Sequence, residues 1–185
     1  MRKTCRRYNE PGHAHELTFS CNHRLPLLSK DRTRQWFCDA LEQAKKLHNF
    51  ALWAFVIMPE HAHVLLMPRS ITYNISAILK SIKQPVARRA TEFLAANAPE
   101  FLAQLRVVRP SGKVEHRFWQ QGGGYDRNVV RAATAWSVVR YLHENPVRRK
   151  LVDRSTDWIW SSARCYAGMN DVKLRVDGCP PDTIS

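Results

Sequence analysis

Apolar and polar residues alternate along residues 15–23, with Leu17, Phe19 and Cys21 on one side of an extended chain, and this period of two predicts a strand. Residues 29–49 change period: a Ser-x-Asp capping pattern opens a stretch that carries Trp36, Phe37, Leu41, Ala44 and Leu47 near helical spacing. Residues 50–58 and 62–68 are strand-like runs with only Pro59, Glu60 and His61 as a turn signal between them, which predicts a hairpin. Helical period returns over residues 74–97, where Pro85 is expected to kink or divide the helix. Alternation over residues 113–120 predicts a fourth strand, the glycine triplet within residues 120–128 a flexible loop, and residues 130–146 a further helix that Pro146 ends.

The order of elements is therefore β-α-β-β-α-β, an α+β arrangement of the ferredoxin-like kind, in which an antiparallel sheet carries its helices on one face. The additional C-terminal helix is available to cover part of the other face. A single domain over residues 1–170 is expected, followed by a tail of low order at 171–185, where Asp, Pro and Gly accumulate.

On the second strand of the hairpin, His61 and His63 point to one face, while Ala62, Val64 and Leu66 point to the other. If the aliphatic set packs under the helices, both imidazoles lie on the open face, close enough to grip one metal ion. A His-x-His pair alone equally describes surface or hydrogen-bonded histidines. The same tripeptide occurs at His13 to His15, flanking the first strand, and is read as non-functional or as an edge that faces a ligand.

Charge narrows the partners. The chain has 29 Lys plus Arg against 16 Asp plus Glu, a net charge of +13 spread over several segments, which favours a polyphosphate partner. No apolar run approaches the roughly 20 residues of a membrane helix, and the basic start has no apolar segment behind it, so a cytoplasmic protein is expected. Five scattered cysteines without a CxxC pair argue against a zinc finger or a disulfide framework.

Three blocks in order, VIMPEHAHVLLMP (56–68), FWQQGGGYDRN (118–128) and RYLHENPVRRKLV (140–152) followed by DWIWSSARCY (157–166), resemble the REP-associated tyrosine transposases, a branch of the single-tyrosine HUH transposases of the IS200 kind. The resemblance covers roughly residues 8–168. It implies a bacterial, nucleoid-associated enzyme, monomeric or homodimeric, that cleaves and rejoins single-stranded DNA folded into a palindromic hairpin. It implies Tyr141 as the nucleophile, and His61, His63 and Asn145 as ligands of a divalent Mg²⁺ or Mn²⁺ ion. Ala62 departs from the family's usual large apolar residue at the middle of the motif, and the packing behind the site is expected to be thinner there.

That chemistry suits the residue types. A metal ion neutralises a phosphodiester for attack, and a tyrosine, whose phenol ordinarily titrates near ~10, is expected to be assisted by a cation such as Arg140. The hairpin is expected to meet a basic surface comprising Lys80, Lys83, Arg88, Arg89, Arg117, Arg127, Arg131 and Arg140. Without the resemblance, Tyr141 reads as a core-edge tyrosine and Asn145 as a residue that ends a helix. Tyr125 is the second-choice nucleophile, on what reads as a flexible loop. Glu60 and His116 are candidates for moving protons, Glu60 equally reading as an exposed turn carboxylate; Trp158 and Trp160 are expected to pack one or two rings in the core in preference to stacking on bases. A hairpin-binding protein that no longer cuts is the alternative function, and a zinc hydrolase a third.

Overall fold

The computed structural model describes residues 7–122 and 124–181. In chain order the elements are β1 (Ala14–Ser20), α1 (Asp31–His48), β2 (Phe50–Ile57), β3 (His61–Pro68), α2 (Ile75–Asn97), α3 (Pro99–Gln104), β4 (Arg106–Val108), β5 (Val114–His116), β6 (Tyr125–Val129), α4 (Ala132–Arg148) and α5 (Ala163–Tyr166). An antiparallel sheet has the strand order β2-β3-β1-β6, the ferredoxin-like arrangement, and β4 with β5 forms a separate two-stranded ribbon.

Side-chain alternation sends Leu17 and Phe19 of β1 and Ala62, Val64 and Leu66 of β3 beneath α1 and α2. The large Phe19 stands opposite the small Ala62. In α2 the buried residues Ile75, Ile78, Leu79, Ile82, Val86 and Ala90 recur at helical spacing, and Asn74 caps the helix by accepting from the Ala77 N–H at 3.1 Å. Burying a side chain such as Phe19, Phe37 or Leu41 contributes about 1.5–3 kcal/mol each. The other sheet face packs Ala51, Trp53, Ala54, Val56 and Leu65 against Ala135, Val138, Val139 and Leu142 of α4. Both faces of β2 are covered, one by the α1 and α2 layer and the other by α4, which is why this strand is apolar throughout; a bulge between Leu52 and Ala54 shifts its register with β3.

The free edge of β2 is covered. Trp160 O accepts from Ile57 N–H at 2.9 Å, Ser162 N–H donates to Phe55 O at 3.0 Å, and Asp177 exchanges bonds with both backbone groups of Leu52. Asp177 thereby ties down the segment where a tail of low order was expected; residues 182–185 of that segment lie outside the described residues.

Several sequence expectations need correction. The fourth strand of the sheet is β6: of residues 113–120, Val114–His116 pairs only with β4 and has no buried face, while Phe118 and Trp119 enter the core and Trp119 makes an isolated bridge to Cys21 beyond the end of β1. Tyr125 accordingly lies on a strand and not on a loop, while Gly123 of the glycine triplet lies outside the described residues. Pro85 does not divide α2, and Pro146 does not end α4, which continues to Arg148. A proline removes one N–H but fixes a helical φ, so residues beyond it still bond back, as Arg149 N–H does to Asn145 O at 3.1 Å. Ser29 does not cap α1; its hydroxyl donates to Pro26 O at 2.7 Å.

Candidate active site

β1 and β3 are paired so that Thr18 lies opposite His63 and Ser20 opposite His61, all on the face not covered by α1 and α2. The two imidazoles meet with ring centroids 4.8 Å apart, nearly perpendicular. α4 crosses this face and brings Tyr141 and Asn145, one helical turn apart, to the same place. The Tyr141 ring stands perpendicular to His63 at 5.7 Å between centroids, and Asn145 Nδ2 donates to His63 Nε2 at 3.3 Å. These six residues line a cleft of about 410 Å³, whose rim carries Arg24, Arg148 and Arg149.

Each imidazole is held by its other nitrogen. With Asn145 donating to Nε2, His63 Nδ1 carries the proton and donates it to Thr18 Oγ1 at 2.7 Å. His61 Nδ1 donates to Glu60 Oε1 at 3.2 Å, and Glu60 is braced by Arg149 at 2.9 Å. Both rings thus keep Nε2 as the lone-pair nitrogen. Burial and then the neighbouring His61 push His63 down to about 3, and burial lowers His61 more than Glu60 raises it, so both are neutral at pH 7. Burial pushes the Glu60 carboxyl up, but His61 and Arg149 outweigh it and hold it below the usual value.

The donor set, two nitrogens and one oxygen, can hold a divalent cation that accepts both kinds of ligand. Among the described residues no three His, Cys, Asp or Glu cluster, so an ion here would have two imidazoles and the Asn145 amide oxygen, presented after the amide rotates. That set leaves positions for water and phosphate oxygens, as magnesium prefers, and lacks the third strong ligand of a catalytic zinc.

The orientation of α4 depends on a further contact. His143, pushed down to about 4 by burial, shares a 2.8 Å hydrogen bond with Ser162 Oγ, which also accepts from Phe55 N–H at 3.0 Å. Helix, edge strand and the Trp-Ser-Ser block are thereby fastened together.

The family described as "Transposase IS200 like" matches residues 12–145. The chain belongs to this family. A protein of Haemophilus influenzae named as a REP-associated tyrosine transposase is 24% identical over 168 residues, covering 82% of this chain and 90% of that one. The solved structure of a REP-associated tyrosine transposase bound to a REP hairpin superimposes with a TM-score of 0.69 at 20% identity, covering 96% of this chain and 93% of that one. That likeness shows the fold.

In this IS200-like transposase, Tyr141, His61, His63 and Asn145 share one cleft, but none of the eight basic residues expected to meet DNA lines it. Lys80, Arg88 and Arg89 lie on α2, in the opposite layer, with Arg89 paired to Asp39 at 3.0 Å. Lys83 is tucked in, donating to Gly122 O at 3.2 Å. Arg117 pairs with Glu115 at 2.6 Å and Arg127 with Glu16 at 2.7 Å; Arg131 precedes α4 and is exposed. Arg140 reaches Ser137 Oγ, and the cation against the Tyr141 ring is instead Arg148, 5.6 Å from its centroid. His116 sits on the β4–β5 ribbon, and Glu60 is a buried brace between His61 and Arg149.

Sequence reasoning missed Thr18, Ser20, Arg24, Arg148 and Arg149. The alternation that assigned Leu17 and Phe19 to the core already left Thr18 and Ser20 facing the histidines. Arg148 and Arg149 were hidden by the assumption that Pro146 stops the helix. Arg24 had no signal: it reaches the rim through a turn in which His23 and Arg24 both take left-handed backbone without glycine.

Among the described residues, no helix is long and apolar enough to cross a membrane.

Proposed function

We propose that this IS200-like transposase is a metal-dependent endonuclease and strand transferase for single-stranded DNA, with residues 1–170 acting as one unit on palindromic, REP-like hairpins. The observation that carries this reading is the meeting of an accessible Tyr141, 42% exposed, with two neutral imidazoles and an amide in a cleft rimmed by three arginines. The hairpin bound by the structural relative supports the substrate class.

Arg24, Arg148 and Arg149 receive the phosphate backbone and draw the scissile group into the cleft. His61, His63 and Asn145 would hold a Mg²⁺ or Mn²⁺ ion, which supplies Lewis-acid neutralisation of the phosphate oxygens. Tyr141 Oη attacks phosphorus, the bond to the 3′ oxygen breaks, and the phenolic proton passes to solvent as the departing oxygen becomes a 3′-hydroxyl. The product is a 5′-phosphotyrosine, which keeps the phosphodiester's energy, so rejoining to another 3′-hydroxyl needs no ATP. Because Tyr141 and Asn145 share one helix, the nucleophile is fixed relative to the ion-holding residues.

The test is a denaturing gel with end-labelled hairpin DNA. A covalent protein–DNA band is expected with Mg²⁺ or Mn²⁺, absent with chelator, and absent in Tyr141→Phe, which removes only the hydroxyl. Hairpin binding without any such band in the wild type would instead identify a protein that binds and does not cut.

A further inference from the structure

β6 pairs with β1 so that Tyr125 lies directly opposite Thr18, and Thr18 lies directly opposite His63 on β3. Residues opposite one another in an antiparallel sheet share a face, so Tyr125, Thr18 and His63 form a row across the open face. Two strand spacings, roughly 10 Å, separate the backbones at the ends of that row. Tyr125 is 52% exposed, and its side chain has no hydrogen-bond or ring partner among the described residues. Its base is nonetheless fixed: Gly124 just before it has φ +74°, and a Cβ there would sit 2.1 Å from Thr18 O, so β6 is pressed onto β1 at this point. The residue between ring and cleft is the small Thr18, engaged with His63.

An unpartnered aromatic ring, anchored on a fixed strand beside a phosphate-binding cleft, matches one feature of a nucleic acid, the face of an unpaired base. A base inside a duplex has its faces covered by its neighbours; a base in a single strand does not. Resting on the function proposed above, we infer that Tyr125 is a stacking platform for the unpaired base next to the scissile phosphate, and that it positions this phosphate for Tyr141. Its role is positioning and not chemistry. The substrate is thereby required to be single-stranded immediately beside the cut, with any hairpin stem further away.

The experiment walks 2-aminopurine through the unpaired positions flanking the cleavage site of a hairpin oligonucleotide and records its fluorescence on binding. In the wild type one position is quenched. Tyr125→Ala removes that quenching and weakens binding about tenfold, whereas Tyr125→Phe and Tyr125→Trp recover most of both. An abasic nucleotide at the quenched position makes wild type and Tyr125→Ala equal in affinity, which a loss of folding could not do. The inference is overturned if wild type and Tyr125→Ala match in affinity and fluorescence at every position while both form the covalent band. It is equally overturned if Tyr125→Phe loses the band and Tyr141→Phe keeps it, because Tyr125 is then the nucleophile. If the wild type neither binds nor cleaves any single strand, the underlying function fails and the inference falls with it.

Discussion

His-Ala-His occurs at residues 13–15, at the start of β1, and at residues 61–63 on β3, and these two strands are hydrogen-bonded neighbours. In both copies the histidines are two residues apart, yet the register places His15 opposite Leu66, in the layer under α2, and His63 opposite Thr18, on the open face. His15 is fully buried and uses both nitrogens on protein partners, Asp126 at 2.8 Å and Tyr73 at 2.9 Å. His13 accepts from Asn128 at 3.0 Å. The first copy is therefore a structural junction between β1, β6 and the segment before α2, and not a ligand-facing edge. In the second copy one nitrogen of each ring is braced and the other is turned to the cleft, where that of His63 meets Asn145, itself a cleft residue. What distinguishes the copies is which face each strand offers, and whether the second nitrogen is turned to a cleft or held within the core.

The largest effect should separate the copies by activity. His61→Ala or His63→Ala is expected to lower formation of the covalent band by about a thousandfold, as removal of an electrostatic support for phosphoryl transfer does, while hairpin affinity changes little. His13→Ala should cleave normally. Single-turnover gels on the three variants decide it; robust cleavage by His61→Ala would mean that the wrong tripeptide had been assigned to the metal.

A second separation uses acid. His63, and His143 on α4, are held in the fold at about 3 and about 4 respectively, against 6.5 in an unfolded chain. The unfolded state therefore binds more protons below pH 6.5, so stability falls as pH drops from 6.5 towards 3, by a few kcal/mol in total. Urea unfolding in chelator at pH 7, 5.5 and 4.5 should show this slope. His63→Gln should flatten it, and an unchanged slope in that variant would show that the ring is not held neutral by burial.

The comparison also shows what the sequence could and could not reveal. Period-two alternation put Leu17, Phe19 and Cys21 on one face and His61 with His63 on another, so the helix-bearing layer and the histidine pair were both legible. Alternation says nothing about which strands become neighbours, and that is why residues 113–120 passed for the fourth strand while Tyr125–Val129 took the place. Pro146 was read by its local rule, but packing of Val138, Val139 and Leu142 on the sheet carries the helix through it, and with it Arg148 to the cleft. Arg24 is set by a left-handed turn that depends on contacts from residues far along the chain, such as Cys21 N–H to Glu60 O at 2.8 Å. The cleft's anion-binding rim is thus a product of tertiary structure, whereas its imidazoles follow from local pattern.

The first copy has its own expected cost. His15→Ala removes a buried partner from Asp126, whose side chain is only 1% exposed and keeps just the longer contact to Arg7 at 3.4 Å. A loss of about 2 kcal/mol is expected, or roughly 6 °C in Tm, with cleavage per folded molecule retained. Calorimetry paired with the gel assay checks both halves. Loss of cleavage without loss of stability would break the assignment of this copy as structural.

The smallest effect concerns Thr18, which sits on β1 between the two copies and faces the second. Its hydroxyl accepts the Nδ1 proton of His63, and that bond keeps the Nε2 lone pair directed at Asn145 and the cleft. Thr18→Val keeps the β-branched shape and the strand pairing but removes the acceptor, so the ring is free to change tautomer. Metal affinity should fall by about tenfold, the lower end of what loss of a ligand's supporting partner costs, while melting temperature in chelator stays near that of the wild type. Mn²⁺ titration followed by calorimetry measures the first quantity and a thermal scan the second. An unchanged Mn²⁺ affinity would show that the orientation of His63 comes from packing against Tyr141 and Asn145, and that β1 contributes only the wall of the cleft.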